Sequence, residues 1–499
     1  MRELIHNFVW GLSGEPEFML IENGRVVVRD PAIEPFPSAK RSIDLEGQYL
    51  LPAFIDAHCH ILPTGLDLGK LYVGNCTTHD ELLDLIREQE CHLPEGEWLF
   101  AVQYDQNRFP GGEHVNREQL DTLSSKRPIL LRHFNGHASV ANTACLVAAG
   151  VREDTPDPKG GTFVRDASGR LTGVLLEHAH EAVSAAVGAP SLEKMVEAIL
   201  AAGEKMAQLG IGCASDMMTG RYDLDLELQA YRIAAERGCK IRSRLYLQWS
   251  TVFGPRAISP SRLRVLMDAL DEERCRVAGI KIFADGAIGS ATAGIYGRFT
   301  GSDPGSEIDG QLMYAPERLN QMVRTAHDAG YSIAIHSIGD YSTDIVMNAY
   351  EQLDDAKRHR IEHAMILSDA QIERMAKLGV HCTMQPEFLL RFGHSYKRQL
   401  GPERASHLKR FRSVIDAGIP VSFSSDRPVV PGDPWDGVRT AARRPEGFDP
   451  AENVSMKEAL HAYTHMGAVA NREPELMGRL QAGQLADYQV LRRNPLHIE

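Results

Sequence analysis

The sequence has no run of about 18 or more apolar residues, the length that a membrane-spanning helix requires. Its first residues, MRELIHNFVWGLSGEPEF, are interrupted by charged side chains and lack the apolar core of a signal peptide. Cysteine is scarce, and the eight cysteines include no CxxC pair. These absences favour reduced thiols and a cytoplasmic location, and they argue against a disulfide framework.

Positive charge is also scarce: 54 Lys and Arg stand against 67 Asp and Glu, which gives a formal net charge of −13. Binding to phosphates requires clustered Lys and Arg, so we expect neither nucleic acid nor an anionic membrane as a partner. The expected partner is a small-molecule substrate. Assembly into a homo-oligomer such as a dimer is left open.

Eight short apolar runs alternate with helical patterns, which predicts an α/β fold with a (β/α)8 TIM-type barrel rather than an open sheet. The helical patterns include LNQMVRTAHDAG, DAQIERMAKLG and ASHLKRFRSVIDAG (405–418), each with a glycine just past its end. The strand-like runs are FIDAHCHI (54–61), GIGCASDM (210–217), KIRSRLYL (240–247), RVAGIKIFADG (276–286), YSIAIHSIGD (331–340), RHRIEHA (358–364), GVHCTMQPE (379–387) and GIPVSFSSD (418–426).

Three domains are predicted, with the barrel formed by residues 51–75 and 205–469. The N-terminal EFMLIENGRVVVRD contains Asn23-Gly24, a strong hairpin signal, and the C-terminal GQLADYQVLRRN is also strand-like. We expect residues 1–50 and 470–499 to meet in a small β-sandwich domain. Residues 76–204 interrupt the barrel after its first strand and are too long for a loop, so they are predicted to be an inserted domain near the active-site mouth.

Polar side chains recur where the predicted barrel strands end, the face that carries the active site in TIM barrels. His58 and His60 stand two residues apart on one strand, so both imidazoles can face one metal ion. The other polar residues of this kind are His336, His363 and Asp426 at strand ends, together with Lys281 and, four residues later on the same face, Asp285.

Each of these residues also has an ordinary structural explanation. A single histidine in an apolar strand is usually a hydrogen-bonded core residue, and a strand-end aspartate is usually the cap of the next helix. Their joint placement at one end of one barrel favours metal binding. A second HxH, at His178 and His180, precedes a helical pattern inside the predicted insert, so it is not predicted to bind metal, although His178 could reach the active-site mouth.

The sequence resembles the amidohydrolase superfamily, and within it the YtcJ-like branch, amidohydrolase family 3. The matching stretches are LPAFIDAHCH, NGHASVANTACL, DPKGGTFVRDASGRLTGVLLE, KIFADGAIGS, HSIGD, RIEHA, FSSDRPV and GQLADYQVL, which span nearly the whole chain in family order. The family fold implied by this resemblance, a barrel with a β-sandwich and an insertion, agrees with the strand pattern. The chain departs from the usual Pro-Gly at Pro52-Ala53 and from the usual DGSLGS at DGAIGS.

The resemblance implies that His58, His60 and Asp426 hold one divalent ion and that His336 and His363 hold a second. Lys281 would bridge them as a carbamate formed with CO2, because an ammonium has no lone pair to give a metal. Without carboxylation of Lys281, one ion per chain is expected. Imidazole and carboxylate ligands suit zinc, with iron, manganese or nickel as alternatives.

The activity implied is hydrolysis of an amide, formamide or cyclic amide C–N bond by a metal-activated hydroxide. Asp426 would carry the proton from the attacking water to the leaving nitrogen. Candidate substrate contacts are Asp285, His178, and Asn135 with His137 in the FNGH of the insert, for which an exposed loop is the alternative. Two other functions stay open: the same metal site acting on a lactone, an ester or an aminated heterocycle, and an inactive binding protein on the same barrel.

Overall fold

The computed structural model describes residues 1–32, 35–94, 96–134, 136, 138–158, 160–186, 188–302 and 305–497. Two of the predicted substrate contacts, Asn135 and His137, lie outside the described residues. The chain divides into two compact units, a barrel unit (Met1–Thr64 and Met195–Glu499) and an inserted unit (Gly65–Lys194), and each is described by itself.

The strands, in chain order, are β1 (Arg2–Trp10), β2 (Pro16–Glu22), β3 (Arg25–Pro31), β4 (Arg41–Asp44), β5 (Tyr49–Pro52), β6 (Phe54–Cys59), β7 (Leu71–Tyr72), β8 (Leu99–Tyr104), β9 (Ile129–His133), β10 (Ala138–Ala141), β11 (Gly161–Arg165), β12 (Leu171–Glu177), β13 (Ile211–Thr219), β14 (Arg242–Gln248), β15 (Cys275–Phe283), β16 (Ile295–Tyr296), β17 (Ile308–Asp309), β18 (Ile333–Ser337), β19 (Arg360–His363), β20 (His381–Met384), β21 (Val421–Phe423) and β22 (Tyr488–Leu491).

The α-helices are α1 (Ile61–Leu68), α2 (His79–His92), α3 (Arg117–Asp121), α4 (Thr143–Ala148), α5 (His178–Ala185), α6 (Leu192–Gln208), α7 (Leu224–Glu236), α8 (Trp249–Val252), α9 (Pro260–Asp268), α10 (Pro316–Asp328), α11 (Asp340–Tyr350), α12 (Asp369–Leu378), α13 (Glu387–Leu400), α14 (Pro402–Ser406), α15 (Phe411–Asp416), α16 (Pro434–Ala442), α17 (Met456–Ala462) and α18 (His465–Ala470). Short 3₁₀ turns cover Gln106–Arg108, Pro110–Gly112, Ala356–Arg358, Pro450–Glu452 and Pro495–His497.

Eight parallel strands form the sheet at the centre of the barrel unit, in the order β6, β13, β14, β15, β18, β19, β20, β21. This order follows the chain, as in a (β/α)8 barrel, and confirms the predicted fold class. Every residue of β6, β19, β20 and β21 is buried, because one face of each strand meets helices and the other fills the barrel interior.

Backbone hydrogen bonds join the first and last strands of this sheet just beyond their ends. The amide of Asp426 donates to the carbonyl of His58 at 2.8 Å, and the amide of His60 donates to the carbonyl of Arg427 at 2.8 Å. The carboxyl end of β21 is therefore fixed directly beside that of β6, and the sheet is nearly closed.

Both ends of the chain contribute to a second, six-stranded sheet in the barrel unit. Its strands run β22, β5, β1, β2, β3, with β4 paired to β1. The predicted hairpin is present: β2 and β3 pair in antiparallel register, and Asn23 and Gly24 both have positive φ, as a type I′ turn requires. The C-terminal strand β22 pairs with β5, the strand that leads into the barrel.

The inserted unit has its own six-stranded sheet, in the order β11, β12, β10, β9, β8, β7, and its own apolar core. It overlaps the stretch 76–204 that the sequence analysis assigns to an insertion, and it includes the HxH at His178 and His180 at the start of α5. Among the described residues no helix is both long enough and apolar enough to cross a membrane, and all eight cysteines are free thiols.

One predicted helix is wrong in its extent. The pattern over 405–418 predicts a single helix, but the structure contains α14 and α15 with a break between them. At the break Lys409 has a left-handed backbone conformation, with φ of 56°, and its side chain is fully buried. Lys409 Nζ has its hydrogen-bond partners inside the protein. The backbone therefore departs from helical geometry at Lys409 and carries the side chain into the interior.

A buried histidine chain supports the start of β18. The amide of Ile333 donates to His359 Nδ1 at 3.1 Å, so the proton of His359 is on Nε2, which lies 2.9 Å from His327 Nδ1. His327 Nε2 in turn donates to Asp354 Oδ1 at 2.7 Å. Burial lowers the pKa of His359 to about 3, because the charged imidazolium would lose its water.

This pKa predicts a loss of stability in acid. The unfolded chain takes up the proton of His359 near its ordinary pKa of about 6.5, whereas the folded protein does so only near 3. The free energy of unfolding should therefore fall, by up to about 1.4 kcal/mol per pH unit from this group, as pH drops from 6.5 towards 3. In His359→Gln, which takes up no proton, the melting temperature should fall less between pH 7 and pH 5.

The exposed His92 provides the control, because His92→Gln should leave the pH dependence of the melting temperature unchanged. Equal acid sensitivity in wild type and His359→Gln would contradict the assignment.

Candidate metal centre

Ligand-type side chains from the first, sixth and last strands of the barrel meet at its carboxyl end. His58 in β6, His363 at the end of β19 and Asp426 after β21 each place one donor atom within 4.8 Å of the others. All three residues are buried. Two imidazoles and a carboxylate at this separation form a set that can hold a divalent ion.

His58 presents its Nε2 to this cluster because a buried carboxylate occupies its other nitrogen. Glu362 Oε2 lies 2.5 Å from His58 Nδ1, so that nitrogen carries the proton, and Nε2 lies 3.5 Å from Asp426 Oδ1. Burial keeps the pKa of His58 well below its usual range. The ring is therefore neutral at pH 7 and has the lone pair that a metal needs.

His60 approaches the same carboxylate from the neighbouring position on the strand. Its Nε2 lies 2.9 Å from Asp426 Oδ1, and the ring centroids of His58 and His60 are 5.8 Å apart. Asp426 Oδ1 thus faces both histidines of the HxH pair. The structure therefore brings together the three residues that the resemblance assigns to one ion.

His336 and His363, assigned to a second ion, are adjacent, with ring centroids 4.4 Å apart. His336 Nε2 donates to the carbonyl of Gly286 at 2.9 Å, which leaves Nδ1 with a lone pair. His363 Nδ1 lies 2.9 Å from Gln385 Oε1, and burial keeps the pKa of His363 well below its usual range. The His58 and His363 rings are 4.7 Å apart, so both histidine groups belong to one cluster.

The backbone is strained at two of these positions. His363 has φ of 75° and Asp426 has φ of 62°, in the left-handed region that residues other than glycine rarely adopt. Each such residue costs of the order of 1–3 kcal/mol and persists only where its surroundings hold it. Strain at the ends of two barrel strands, at residues that point into one cluster, is typical of a functional site.

Lys281 is buried beside the cluster, and its Nζ makes no hydrogen bond with any residue that the structure describes. It lies 4.9 Å from the ring centroid of Phe283. Burial lowers the pKa of Lys281 to about 8, which makes the uncharged amine accessible near neutral pH. The uncharged amine is the form that adds CO2, so an unpartnered buried lysine here fits a carbamate ligand.

Asp285, a predicted substrate contact, is 2% exposed and braces two loops at the barrel rim. Its carboxylate accepts hydrogen bonds from the amides of Gly294 (3.0 Å), Ile338 (3.0 Å) and Gly339 (2.8 Å) and from Ser342 Oγ (2.6 Å). Burial raises its pKa to about 6 although these bonds favour the ionised form. These hydrogen bonds show that Asp285 braces the two loops, and its contact with a substrate stays a prediction.

The remaining predicted contact, His178, begins α5 in the inserted unit. Its side chain is half exposed, and its Nε2 lies 3.9 Å from Glu181 Oε2. Its role in substrate binding stays a prediction, as do those of Asn135 and His137.

Arg360 and Glu362, which the sequence motifs did not single out, support His58. Arg360 Nη2 donates to Glu362 Oε2 at 3.0 Å and to the Ala57 carbonyl at 2.6 Å, and Nη1 donates to Tyr246 Oη at 3.2 Å. Both charged residues are buried inside the barrel. The available signal was the pair of opposite charges two residues apart in RIEHA, an unusual content for a fully buried strand.

Comparison with known proteins identifies the family of this chain. The family model described as "Amidohydrolase family" matches residues 41–499. The chain belongs to the amidohydrolase family. It is 30% identical over 468 residues to the putative amidohydrolase YtcJ of Bacillus subtilis, covering 92% of this chain and 86% of YtcJ. The family predicted from the sequence motifs is therefore confirmed.

Two further similarities concern a characterised activity and a solved structure. The amidohydrolase chain is 28% identical over 502 residues to an N-substituted formamide deformylase of Arthrobacter pascens, covering 96% of this chain and 90% of that protein. An uncharacterized metal-dependent hydrolase from Pyrococcus horikoshii OT3 has a similar structure, with a TM-score of 0.78 and 25% identity, covering 100% of this chain and 99% of that one.

The environment of Lys281 generates a prediction about metal content. If Lys281 carries a carbamate, the intact mass under native conditions should exceed that of the bare chain by one carboxyl group. Lys281→Ala should lose at least one divalent ion by elemental analysis, because a bridging ligand is missing, and a small carboxylic acid should partly restore it. Lys240→Ala, at an exposed lysine, is the control with unchanged metal content. An unmodified Lys281, with normal metal content in Lys281→Ala, would contradict the prediction.

Proposed function

We propose that this protein is a metal-dependent hydrolase that cleaves the C–N bond of a small amide, formamide or cyclic amide. The observation that carries the proposal is the cluster at the carboxyl end of the barrel. There, neutral buried imidazoles of His58 and His363 converge on the carboxylate of Asp426. Buried groups of this kind, each with a fixed hydrogen-bond partner on the far side, are typical of metal ligands.

His58, His60 and Asp426 would hold one divalent ion, and His336 and His363 would hold a second. A carbamate formed on Lys281 would supply further oxygen ligands. Zinc suits this set of nitrogen and oxygen ligands. A bound ion would polarise the substrate carbonyl and lower the pKa of the attacking water.

The chain's own contribution to proton transfer falls to Asp426. Its carboxylate is almost fully buried, and its Oδ1 lies between the two histidines of β6. We assign it the removal of a proton from the attacking water and delivery of that proton to the leaving nitrogen, the role of a general base and then a general acid. Its strained backbone, held by the hydrogen bond to the His58 carbonyl, keeps the carboxylate in position between these steps.

Aromatic rings next to the cluster favour a substrate with an apolar substituent. The centroid of Phe283 lies 5.4 Å from that of His336, and that of Phe388 lies 6.3 Å from that of His363. These rings place apolar surface beside the two histidines, which suits an apolar substituent on the amide. The similarity to an N-substituted formamide deformylase supports formamides as the first class to assay.

Removal of metal is the direct test of this proposal. The purified protein should contain close to two divalent ions per chain. Stripping them should abolish hydrolysis in a panel of amides, formamides and cyclic ureas, and adding them back should restore it. A metal-free preparation with full activity would contradict the proposal. Metal-dependent turnover of lactones, esters or aminated heterocycles alone would keep the metal site but change the assignment of the bond that is cleaved. Absence of both metal and turnover would favour a binding protein.

The role of Asp426 predicts a specific loss of turnover. Asp426→Asn keeps the shape of the side chain and one oxygen but cannot accept a proton. We expect kcat to fall by a factor of about 100 to 10,000, the usual range for a general base, with the fold and most of the metal retained.

Asp433 offers a matched control because its Oδ1 caps α16 by accepting from the Trp435 amide at 2.9 Å. Asp433→Asn should cost at most about 1 kcal/mol of stability and leave kcat nearly normal. Melting temperature, metal content and kcat should be measured on both variants. A stable, metal-loaded Asp426→Asn with normal kcat would show that the proton travels by another route.

A further inference from the structure

Lys409 is a second buried lysine near the cluster, and it differs from Lys281 in that its Nζ makes two hydrogen bonds. Its side chain is 0% exposed. Burial of an ammonium is costly unless its protons find fixed acceptors. Its Nζ donates to Gln385 Oε1 at 2.8 Å and to the carbonyl of His363 at 3.0 Å.

The partners of Gln385 determine the orientation of its side chain. Ser424 Oγ donates its only proton to the Met384 carbonyl at 3.3 Å, so the Gln385 atom that faces Ser424 must be the amide nitrogen, and the atom that faces Lys409 Nζ is the amide oxygen. The amide nitrogen of Gln385 points the other way and donates to Ser424 Oγ at 3.0 Å. The hydrogen-bond partners therefore distinguish the oxygen end of this amide from its nitrogen end.

The orientation of Gln385 determines the tautomer of His363. The same Oε1 lies 2.9 Å from His363 Nδ1, and an oxygen that only accepts requires a proton on that nitrogen. Nε2 is then left with its lone pair. Lys409 also binds the His363 carbonyl, so it holds both the ring, through Gln385, and the strained backbone of the same residue.

The arrangement at His58 is parallel but differs in charge. There the acceptor at Nδ1 is the carboxylate of Glu362, with Arg360 behind it. At His363 the acceptor is the neutral amide of Gln385, with Lys409 Nζ behind it. A carboxylate at Nδ1 makes an imidazole a more basic ligand than a neutral acceptor does.

We propose that Gln385 and Lys409 are positioning residues that hold His363 ready to bind metal through Nε2. They also make His363 a weaker ligand than His58. The inference rests on the proposed function for the presence of metal. It implies that the two ions are held unequally, with the ion at His336 and His363 the more readily exchanged.

The proposal can be tested at Nζ without dismantling the loop. The backbone of Lys409 is held separately, because Arg444 Nη1 donates to the Lys409 carbonyl at 3.0 Å and the Lys409 amide donates to the Met365 carbonyl at 2.9 Å. Lys409→Met keeps the length of the apolar stem and removes only the ammonium. Gln385→Leu removes the acceptor, and Gln385→Glu replaces it with a carboxylate that can bind both His363 and Lys409.

The experiment measures the affinity of each protein for Zn²⁺ by competition with a chelator, together with the visible spectrum of the Co²⁺-substituted protein. We expect wild type to show two unequal affinities. Lys409→Met and Gln385→Leu should each weaken the lower affinity by about 10- to 100-fold, the usual effect of losing a partner of a metal-ligating histidine. Gln385→Glu should keep the lower affinity at the wild-type value or raise it. The double variant Lys409→Met/Gln385→Leu should lose no more affinity than either single variant.

His381→Gln is the matched control. His381 lies on β20, which ends just before Gln385, and it is buried with Nε2 2.9 Å from Ser422 Oγ. This substitution should lower the melting temperature without changing either affinity or the Co²⁺ spectrum. Lower melting temperatures for Lys409→Met and Gln385→Leu, with unchanged affinities and spectrum, would make the pair merely structural and overturn the inference.

Failure of the proposed function is distinguishable from failure of the inference. A wild-type protein that binds two ions but hydrolyses no amide would end the proposed reaction, while the affinities would still test Gln385 and Lys409. A wild-type protein that binds no divalent ion would overturn both. Equal affinities in wild type would overturn the predicted inequality of the two ions.

Discussion

Closure of the barrel is the constraint on which the candidate site depends. The hydrogen bonds between the ends of β6 and β21 place Asp426 against His58 and His60, although Asp426 lies more than 360 positions after them in the chain. The same closure fixes Asp426 in a left-handed conformation. An open sheet would leave its first and last strands at opposite edges, and these three side chains could not meet.

Buried charged side chains inside the barrel support the histidines of this cluster, whereas most protein interiors exclude charged groups. Arg360 and Glu362 neutralise one another and support His58, while Lys409 and Gln385 support His363. Breaking such a pair leaves an uncompensated buried group, which costs more than the pair itself contributes. These partners therefore fix one tautomer each for His58 and His363, and rigidity at the site follows from the need to satisfy buried donors and acceptors.

Much of the site was predictable because strand ends are visible in the sequence. The alternation of apolar runs and helical patterns identified all eight barrel strands, and His58, His60, His336, His363 and Asp426 lie at or near the ends of those strands. The support for these residues was not predictable. Glu362 and Gln385 look like ordinary polar residues until their partners from other strands are known, and the helical pattern around Lys409 concealed the break that buries it.

The sequence by itself determined the order of strands and helices, the family and the residue types available for metal binding, because these depend on local periodicity and on motifs of contiguous residues. Only the tertiary structure decided which ring nitrogen of His58 and of His363 carries the proton, that Lys281 has no hydrogen-bond partner within the described residues, and that Asp285 braces the rim. Protonation and hydrogen bonding depend on burial and on groups far away in the chain. Those are set when the barrel closes, and no local pattern encodes them.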